Sequence, residues 1–182
     1  MCIRDRGTGL RRGELLGLTW ADVALLDRRL TVRQAIVRGE VVTPKTRASR
    51  RTLELGPVTA AALEEQLAET AYETDGDLVF GHPLLGTPLD PGKVARDFMR
   101  PALARAGIEK PFRPWHDLRH TALTHEAAAG NPAVYVQMRA GHSQGSVTER
   151  YVHAAQVLFP GAAERGEART FAGLSGTSSG TN

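Results

Sequence analysis

The chain has 182 residues, of which 41% are hydrophobic and 24% are charged, and its formal net charge is +3. These values allow one domain with a real core and exclude a largely disordered chain. The single cysteine, Cys2, excludes an intrachain disulfide framework and a zinc site built from cysteines. It also makes a reducing, cytoplasmic setting the default expectation. No apolar run approaches the roughly 18 residues of a membrane span, so we expect no membrane partner.

The two ends of the chain differ from its middle. Met1 to Gly7 is polar and basic, and a helix pattern begins directly after it, so we expect residues 1–7 to be a truncated or non-native start. Beyond Pro160 the chain is rich in Gly, Ser and Thr, which predicts a flexible tail over residues 161–182. Residues 8–160 are expected to form a single domain.

The first part of the chain combines a short helix with short strands. Arg11 to Leu18 is predicted to be helical because Leu15 and Leu18 share one face. Strands are predicted from alternating or apolar runs at Leu30–Val37, Val41–Val42 and Leu53–Leu55. Together these runs predict a small antiparallel sheet of three strands, whose second turn presents Lys45.

The rest of the chain has a mainly helical pattern. Helices are predicted over Val58–Ala71, Val94–Ala106, His116–Ala129, Pro132–Ala140 and Val147–Ala155. Pro101 should kink or break the second of these helices, and Gly130 should end the third. The expected fold class is therefore α+β, mainly α-helical, with a small three-stranded antiparallel sheet.

Four short motifs stand out by their order along the chain. They are Thr8-Gly9-Leu10-Arg11-Arg12-Gly13-Glu14-Leu15, Thr43-Pro44-Lys45-Thr46, His116-Asp117-Leu118-Arg119-His120, and Ala140-Gly141-His142-Ser143 with Tyr151 nine residues after His142. This ordered set resembles the tyrosine recombinase family of the phage-integrase type. Members of that family carry an arginine in a TGLRxxEL helix, a lysine on a β-hairpin, an HxLRH motif, an LGH-like box and then a tyrosine. The resemblance runs from about Thr8 to about Ala155.

The resemblance implies a site-specific recombinase that cuts and rejoins DNA. Arg11 and Arg119 would clamp the scissile phosphate, a task that suits the planar, bidentate guanidinium group. Tyr151 would attack the phosphorus atom and form a 3′-phosphotyrosine. Lys45 would protonate the departing 5′ oxygen. Because the two arginines and the lysine supply the positive charge, we expect no metal. Because the phosphotyrosine bond conserves the energy of the ester, we expect no ATP and no other cofactor.

The two histidine motifs complete the site that the resemblance implies. His116 would act as an acid or base near the nucleophile, and His142 would hydrogen-bond the phosphate. His120, four residues after His116, would support it from the same helix face. Glu14, three residues after Arg11, is expected to be a buried structural partner.

Contacts to the DNA backbone are expected from a basic stretch between Arg28 and Arg51, in which Glu40 is the only acid. The residues that we assign to this role are Arg47, Arg50 and Arg51. The partner implied is double-stranded DNA, bound by a homo-tetramer when the protein is full-length. Residues from Ala155 to Leu174 could pass to a neighbouring subunit in such a tetramer.

Other functions remain open at this point. Each of the singled-out residues, taken alone, is more often an ordinary surface or core side chain. His116 and His120 have the spacing of a zinc-binding helix, so a zinc metallohydrolase with His125 or His142 as third ligand is one alternative. A fragment that binds DNA without cutting it is the other.

Overall fold

The computed structural model describes residues 7–43, 49–108, 111–142 and 144–155. Its elements are, in chain order, helix α1 (Arg12–Leu16), strands β1 (Val23–Ala24), β2 (Arg29–Val32), β3 (Ala35–Val37), β4 (Glu40–Val42) and β5 (Arg51–Glu54), and helices α2 (Pro57–Glu69), α3 (Pro91–Val94), α4 (Arg100–Arg105), α5 (Pro114–Ala128), α6 (Ala133–Ala140) and α7 (Gly145–Ala155). The helices predicted from the sequence are present, with their ends displaced by a few residues. The predicted fold class, mainly α-helical with a small antiparallel sheet, is confirmed.

The sheet has three antiparallel strands in the order β1-β2-β5. Leu30 in the central strand lies opposite Val23 on one side and Leu53 on the other. β3 and β4 form a separate two-stranded hairpin. Its turn passes through Arg38 and Gly39, both of which have a positive φ. Glycine tolerates this conformation without a steric penalty, and the hairpin therefore turns at the position that the sequence marks.

The pairing of the strands corrects the prediction from the sequence. The run predicted as one strand from Leu30 to Val37 breaks into β2 and β3, because the amide of Gln34 turns inwards and donates a hydrogen bond to the carbonyl oxygen of Gly17 at 2.9 Å. The third strand of the sheet is β1, and the predicted strand Val41–Val42 pairs with β3 instead. In the described part of the chain β4 and β5 are therefore not paired with each other, and they belong to different sheets.

α3 and α4 are joined by a π-helical turn, Ala95–Met99, into one segment where the sequence predicted a helix from Val94 to Ala106. The segment begins at Pro91, and the side chain of Asp90 caps it by accepting a hydrogen bond from the backbone N–H of Lys93 at 2.8 Å. The widened turn lies just before Pro101. Because proline lacks an N–H and clashes with the preceding turn, the wider turn lets the helix continue where a break was predicted.

Buried apolar side chains form two clusters. The first lies under the sheet and α2 and contains Leu10, Leu15, Leu18, Trp20, Leu30, Val32, Leu53, Leu55, Ala60, Leu63, Val79 and Phe80. The second joins α5, α6 and α7 and contains Leu123, Ala127, Val136, Ala140 and Tyr151. Since α1 packs into the first cluster and α7 into the second, a site that uses both helices lies where the clusters meet. None of the helices in the described ranges is long and apolar enough to cross a membrane.

Candidate active site

A cleft of about 560 Å³ opens between the start of α1 and the helices α5 and α7. It is lined by Arg11, Arg12, Gly13, Trp115, His116, Arg119, His120, His142, Val147, Arg150 and Tyr151. All the residues that the sequence analysis expected to be catalytic line this cleft except Lys45, which lies outside the described residues. Arginines are frequent in this lining and carboxylates are absent from it, so the cleft is suited to an anion.

Arg11 stands directly before α1, in an extended conformation that directs its side chain into the cleft. Its backbone N–H donates to Oε2 of Glu14 at 2.9 Å, and its Nη1 donates to Oε1 of the same carboxylate at 2.8 Å. Both bonds are donated by Arg11 to Glu14, so the carboxylate satisfies the backbone N–H at the start of the helix and orients the guanidinium group. The side chain of Arg11 is 42% exposed, which leaves part of it open to a ligand in the cleft.

Three arginines from distant segments converge on the last turn of α6. Arg51 Nε donates to the carbonyl oxygen of Arg139 at 2.8 Å, Arg119 Nη2 to that of Ala140 at 2.7 Å, and Arg11 Nη2 to that of Gly141 at 2.7 Å. The last carbonyls of a helix have no partner within the helix and carry partial negative charge. Guanidinium groups satisfy both needs, so the end of α6 holds the arginines of the cleft in fixed positions.

Glu14 is buried and links two of these arginines. Besides Arg11, it accepts hydrogen bonds from Arg51 Nη1 at 3.0 Å and Nη2 at 2.9 Å. Burial alone would raise the pKa of this carboxyl group, but its hydrogen bonds and charge interaction with Arg51, together with its bonds to Arg11, hold the pKa below its usual value. Glu14 therefore joins the helix start at Arg11 to strand β5 at Arg51.

The basic residues expected to contact DNA have different surroundings. The side chain of Arg51 is only 7% exposed and is bound to Glu14, so the expectation that it contacts the DNA backbone is wrong. The reason is strand alternation, which turns Arg51 inwards towards Glu14 and α6. Its neighbour Arg50 is exposed, and Arg47 lies outside the described residues.

Arg119 lies on α5 and is largely buried. Its Nη1 donates to the carbonyl oxygen of Gly9 at 2.5 Å, and its Nη2 lies 3.2 Å from Nε2 of His142. Burial, and next the charge of Arg11, lower the pKa of Arg119 to about 10, so the group stays charged at neutral pH. Arg119 thus ties the loop before α1 to the histidine after α6.

His142 follows Gly141, which ends α6 in the left-handed conformation. A Cβ atom at Gly141 would lie 2.6 Å from Nη1 of Arg51, so both the positive φ and the close arginine require glycine there. Nδ1 of His142 lies 3.1 Å from Oγ1 of Thr148. Burial, and next the charge of Arg119, lower the pKa of His142 to about 4, and its ring is therefore neutral at pH 7.

Tyr151 is buried against the second cluster while its ring borders the cleft. The ring centroid lies 5.1 Å from that of His120 and 5.8 Å from that of His142, with the His142 ring nearly parallel to it at 16°. Burial raises the pKa of the phenol, although the charge of Arg119 opposes this effect. The hydroxyl is therefore protonated at neutral pH and needs a base before it can act as a nucleophile.

His116 and His120 form a pair on one face of α5. Their Nε2 atoms lie 2.5 Å apart, so one nitrogen carries the proton and the other accepts it. Burial, and next the charge of His116, lower the pKa of His120. The lowered pKa favours a neutral imidazole at His120. The ring of His120 also packs against that of Tyr151.

The sequence profile of the phage integrase family matches residues 6–157. The chain belongs to this family. A tyrosine recombinase XerC-like protein of Caldanaerobacter subterraneus subsp. tengcongensis is 30% identical over 171 residues, which cover 81% of this chain and 43% of that protein. A tyrosine recombinase XerC of Bifidobacterium longum is 33% identical over 150 residues, which cover 80% of this chain and 40% of that protein. This integrase-family chain thus spans less than half the length of these relatives.

Solved structures of integrase-family proteins share the fold. The Tn1549 transposon integrase in complex with circular intermediate DNA superimposes with a TM-score of 0.72 at 25% identity, covering 90% of this chain and 58% of that one. The XerA recombinase superimposes with a TM-score of 0.65 at 26% identity, covering 91% of this chain and 54% of that one. The matched part includes the helices that carry the cleft.

Several residues of this integrase-family site were not singled out from the sequence. Thr148 contacts His142 through its hydroxyl group, and Gly141 leaves room for Arg51 because it has no Cβ atom. Gly9, whose φ is 65°, accepts a hydrogen bond from Arg119 at its carbonyl oxygen. Thr148 stands three residues before Tyr151, and helical spacing would have placed both on one face of α7. Nothing local in the sequence reveals the contact of Gly9 with a residue 110 positions away.

The arrangement of the histidines bears on the zinc alternative. His142 Nε2 faces the guanidinium group of Arg119, and no group of three or more His, Cys, Asp or Glu side chains that could hold a metal occurs among the described residues. A cationic arginine inside the cleft would also repel a metal ion. The geometry favours a phosphate over a metal as the species that the cleft binds.

Proposed function

We propose that the protein is a site-specific DNA recombinase that breaks and rejoins DNA through a 3′-phosphotyrosine at Tyr151. The observation that carries this proposal is the convergence of Arg11, Arg119, His142 and Tyr151 on one cleft from separate segments of the chain. The convergence supplies the requirements of phosphodiester cleavage, which are a nucleophile, charge neutralisation at the phosphate and proton transfer.

The proposed phosphate site lies between Arg11 and Arg119. Each guanidinium group is oriented by bonds to backbone carbonyls at the end of α6, so its position is set before the substrate arrives. Such preorganised donors stabilise the charge that develops on the non-bridging oxygens in the transition state. His142, which borders both Arg119 and Tyr151, would hydrogen-bond the same phosphate. Together with Lys45, the arginines would stabilise the negative charge of the phosphate, which a metal ion does in other phosphoryl-transfer enzymes.

In the proposed reaction, the hydroxyl oxygen of Tyr151 attacks phosphorus and the bond from phosphorus to the 5′ oxygen breaks. The phenol proton passes to the pair of His116 and His120, whose Nε2 atoms contact each other and whose His120 ring packs against Tyr151. The leaving 5′ oxygen takes a proton from Lys45 and becomes a hydroxyl group. Because the phosphotyrosine retains the ester bond, the reverse attack by a 5′ hydroxyl rejoins DNA without ATP.

Double-stranded DNA is the proposed partner, and Arg12, Arg50 and Arg150 are exposed residues that would contact its phosphates. The similarity in fold to an integrase solved with DNA supports this choice. A homo-tetramer on DNA and the role of Lys45 are proposals that follow from family membership. A cytoplasmic location is proposed from the single cysteine, and the DNA contact of Arg47 from the basic stretch. The segment proposed to pass between subunits, from Ala155 to Leu174, lies almost entirely outside the described residues.

The test is a nicked suicide duplex, in which the nick lets the cleaved strand end diffuse away and traps the covalent intermediate. Duplexes are taken from the DNA that flanks the gene. We expect a covalent protein–DNA band on a denaturing gel, absent in Tyr151→Phe and retained in the control Tyr72→Phe. DNA binding without any adduct on these duplexes would favour the non-catalytic fragment instead.

A further inference from the structure

Thr148 holds the ring nitrogen of His142 that points away from the cleft arginines. It lies on α7, and only 2% of it is exposed. Its hydroxyl oxygen lies 3.1 Å from Nδ1 of His142, while Nε2 of the same ring lies 3.2 Å from Nη2 of Arg119. The imidazole therefore contacts a hydrogen-bonding side chain at each nitrogen. The guanidinium group at Nε2 can only donate, whereas the hydroxyl group at Nδ1 can donate or accept.

These two contacts decide where the proton of His142 resides when no phosphate is bound. A guanidinium group can only donate hydrogen bonds, so Nε2 must accept from Arg119. The low pKa of His142 makes the ring neutral at pH 7, and a neutral ring that accepts at Nε2 carries its proton on Nδ1. Nδ1–H then donates to the hydroxyl oxygen of Thr148.

A bound phosphate reverses this requirement. To hydrogen-bond a phosphate oxygen, Nε2 of His142 must carry the proton, and in a neutral ring Nδ1 then accepts. The hydroxyl group of Thr148 is both a donor and an acceptor, and rotation about its C–O bond lets it donate to Nδ1. The change moves one proton off Nδ1 and one onto Nε2 by exchange with water in the cleft, so no net proton is taken up.

We propose that Thr148 is a positioning residue that stabilises His142 in either tautomer, with Nδ1–H in the free protein and Nε2–H when Arg119 and His142 bind a phosphate together. The second half of this proposal rests on the proposed recombinase function. The first half does not, since it concerns the protein without DNA. Of the two side chains that contact the ring nitrogens, Arg119 can only donate, and the threonine hydroxyl is the one that can serve both states.

The first test reads the tautomer directly in the DNA-free protein. Long-range proton–nitrogen NMR spectra of protein with ¹⁵N-labelled histidine distinguish Nδ1–H from Nε2–H, and His142→Asn assigns the signal. We expect Nδ1–H for His142 at pH 7, with the proton shift of a hydrogen-bonded group, in the wild type and in Thr148→Ser. Because Arg119 still donates to Nε2 in Thr148→Val, the tautomer should persist there, but the Nδ1–H signal should move upfield with the loss of its acceptor. A wild-type ring with the proton on Nε2, or an Nδ1–H signal that is unchanged in Thr148→Val, would overturn the proposal.

The second test measures adduct formation on the suicide duplex. Because Thr148→Val leaves a buried ring nitrogen without a partner, the rate should fall about tenfold to a hundredfold. DNA affinity should not change, and Thr148→Ser should recover most of the rate. The matched control is Thr121→Val, since the hydroxyl of Thr121 binds a carbonyl of its own helix, that of Asp117, at 2.8 Å.

The two tests separate failure of this proposal from failure of the proposed function. If the wild-type protein forms no adduct, the recombinase function fails, and the NMR result still decides the tautomer. If Thr148→Val does not fold, Thr148→Ala takes its place and must show the same loss relative to Thr148→Ser. An equal loss of rate in Thr148→Ser and Thr148→Val would mean that packing, and not the hydroxyl group, is what matters.

Discussion

Arg51 and Arg139 differ from Arg11 and Arg119 in that only the latter two line the cleft, although Arg139 belongs to the last turn of α6 and the other three arginines bind carbonyls of that turn. Arg51 and Arg139 are buried and each pairs with a carboxylate, Arg51 with Glu14 at 2.9 Å and Arg139 with a glutamate of α5 at 3.0 Å. They also bind backbone carbonyls of other segments. We call these two the buried pair.

Arg11 and Arg119, the cleft pair, border open space instead. In the described part of the chain Arg119 hydrogen-bonds two carbonyl oxygens, His142 and the side chain of Tyr151, and none of these partners is a carboxylate. Arg11 shares Glu14 but is partly exposed. A carboxylate neutralises an arginine and commits it to the fold, but the single carboxylate of Glu14 faces both Arg11 and Arg51. One positive charge of that group and the charge of Arg119, which carbonyls orient, are left for a substrate. The buried pair is thus structural, and the cleft pair is suited to phosphate.

The largest expected effect is on stability, from the buried pair. Arg51→Met removes the main partner of buried Glu14, and breaking a buried ion pair on one side costs about 3–5 kcal/mol. We expect the free energy of unfolding, measured by urea denaturation, to fall by that amount. The exposed neighbour serves as the control, since Arg50→Met should change stability by no more than about 0.5 kcal/mol. Equal effects of the two substitutions would remove the distinction between buried and exposed arginines.

Next in size is an effect on activity, from the cleft pair. Arg11→Gln removes one charged donor from the proposed phosphate site, and loss of one such donor lowers rates by about 10²–10³. We expect that decrease in the rate of adduct formation on the suicide duplex. Stability should change by about 1 kcal/mol or less, because the side chain is partly exposed. Arg105→Gln, an exposed arginine of α4 away from the cleft, is the control, and an unchanged rate in Arg11→Gln would contradict the assignment.

The smallest expected effect is a difference in pH dependence between the two regions. The lowered pKa of His142 contributes stability that is complete above 6.5 and is lost as the pH falls towards about 4. The lowered pKa of Glu14 contributes stability that is complete above the unfolded value near 4.5 and is lost below it. Urea midpoints between pH 3 and 7 should therefore show two windows of loss.

Two substitutions assign these windows. His142→Asn should flatten the upper window, Glu14→Gln the lower one, and the exposed Glu64→Gln neither. A single window, or a lower window that persists in Glu14→Gln, would show that other groups carry the acid dependence.

Local patterns were sufficient to predict much of the fold and several of the residues that line the cleft. The apolar spacing of the helices, the glycine at the turn of the β3–β4 hairpin and the spacing of His116 and His120 all concern residues a few positions apart. The family match and the fold class confirm the resemblance carried by the short motifs. The catalytic roles of individual residues stay proposals, and Lys45 lies outside the described residues.

What the sequence by itself determined is which residues are present and which of them share an element. The tertiary structure alone decided that Gln34 ends a strand by reaching Gly17, and that Arg51 is internal while Arg50 is exposed. The physical reason is separation along the chain, because the hydrogen-bond partners of Arg51 are 37 and 88 residues away, at Glu14 and Arg139. Whether a cation binds a carboxylate of its own protein or the phosphate of another molecule depends on such distant contacts, and no local pattern encodes them.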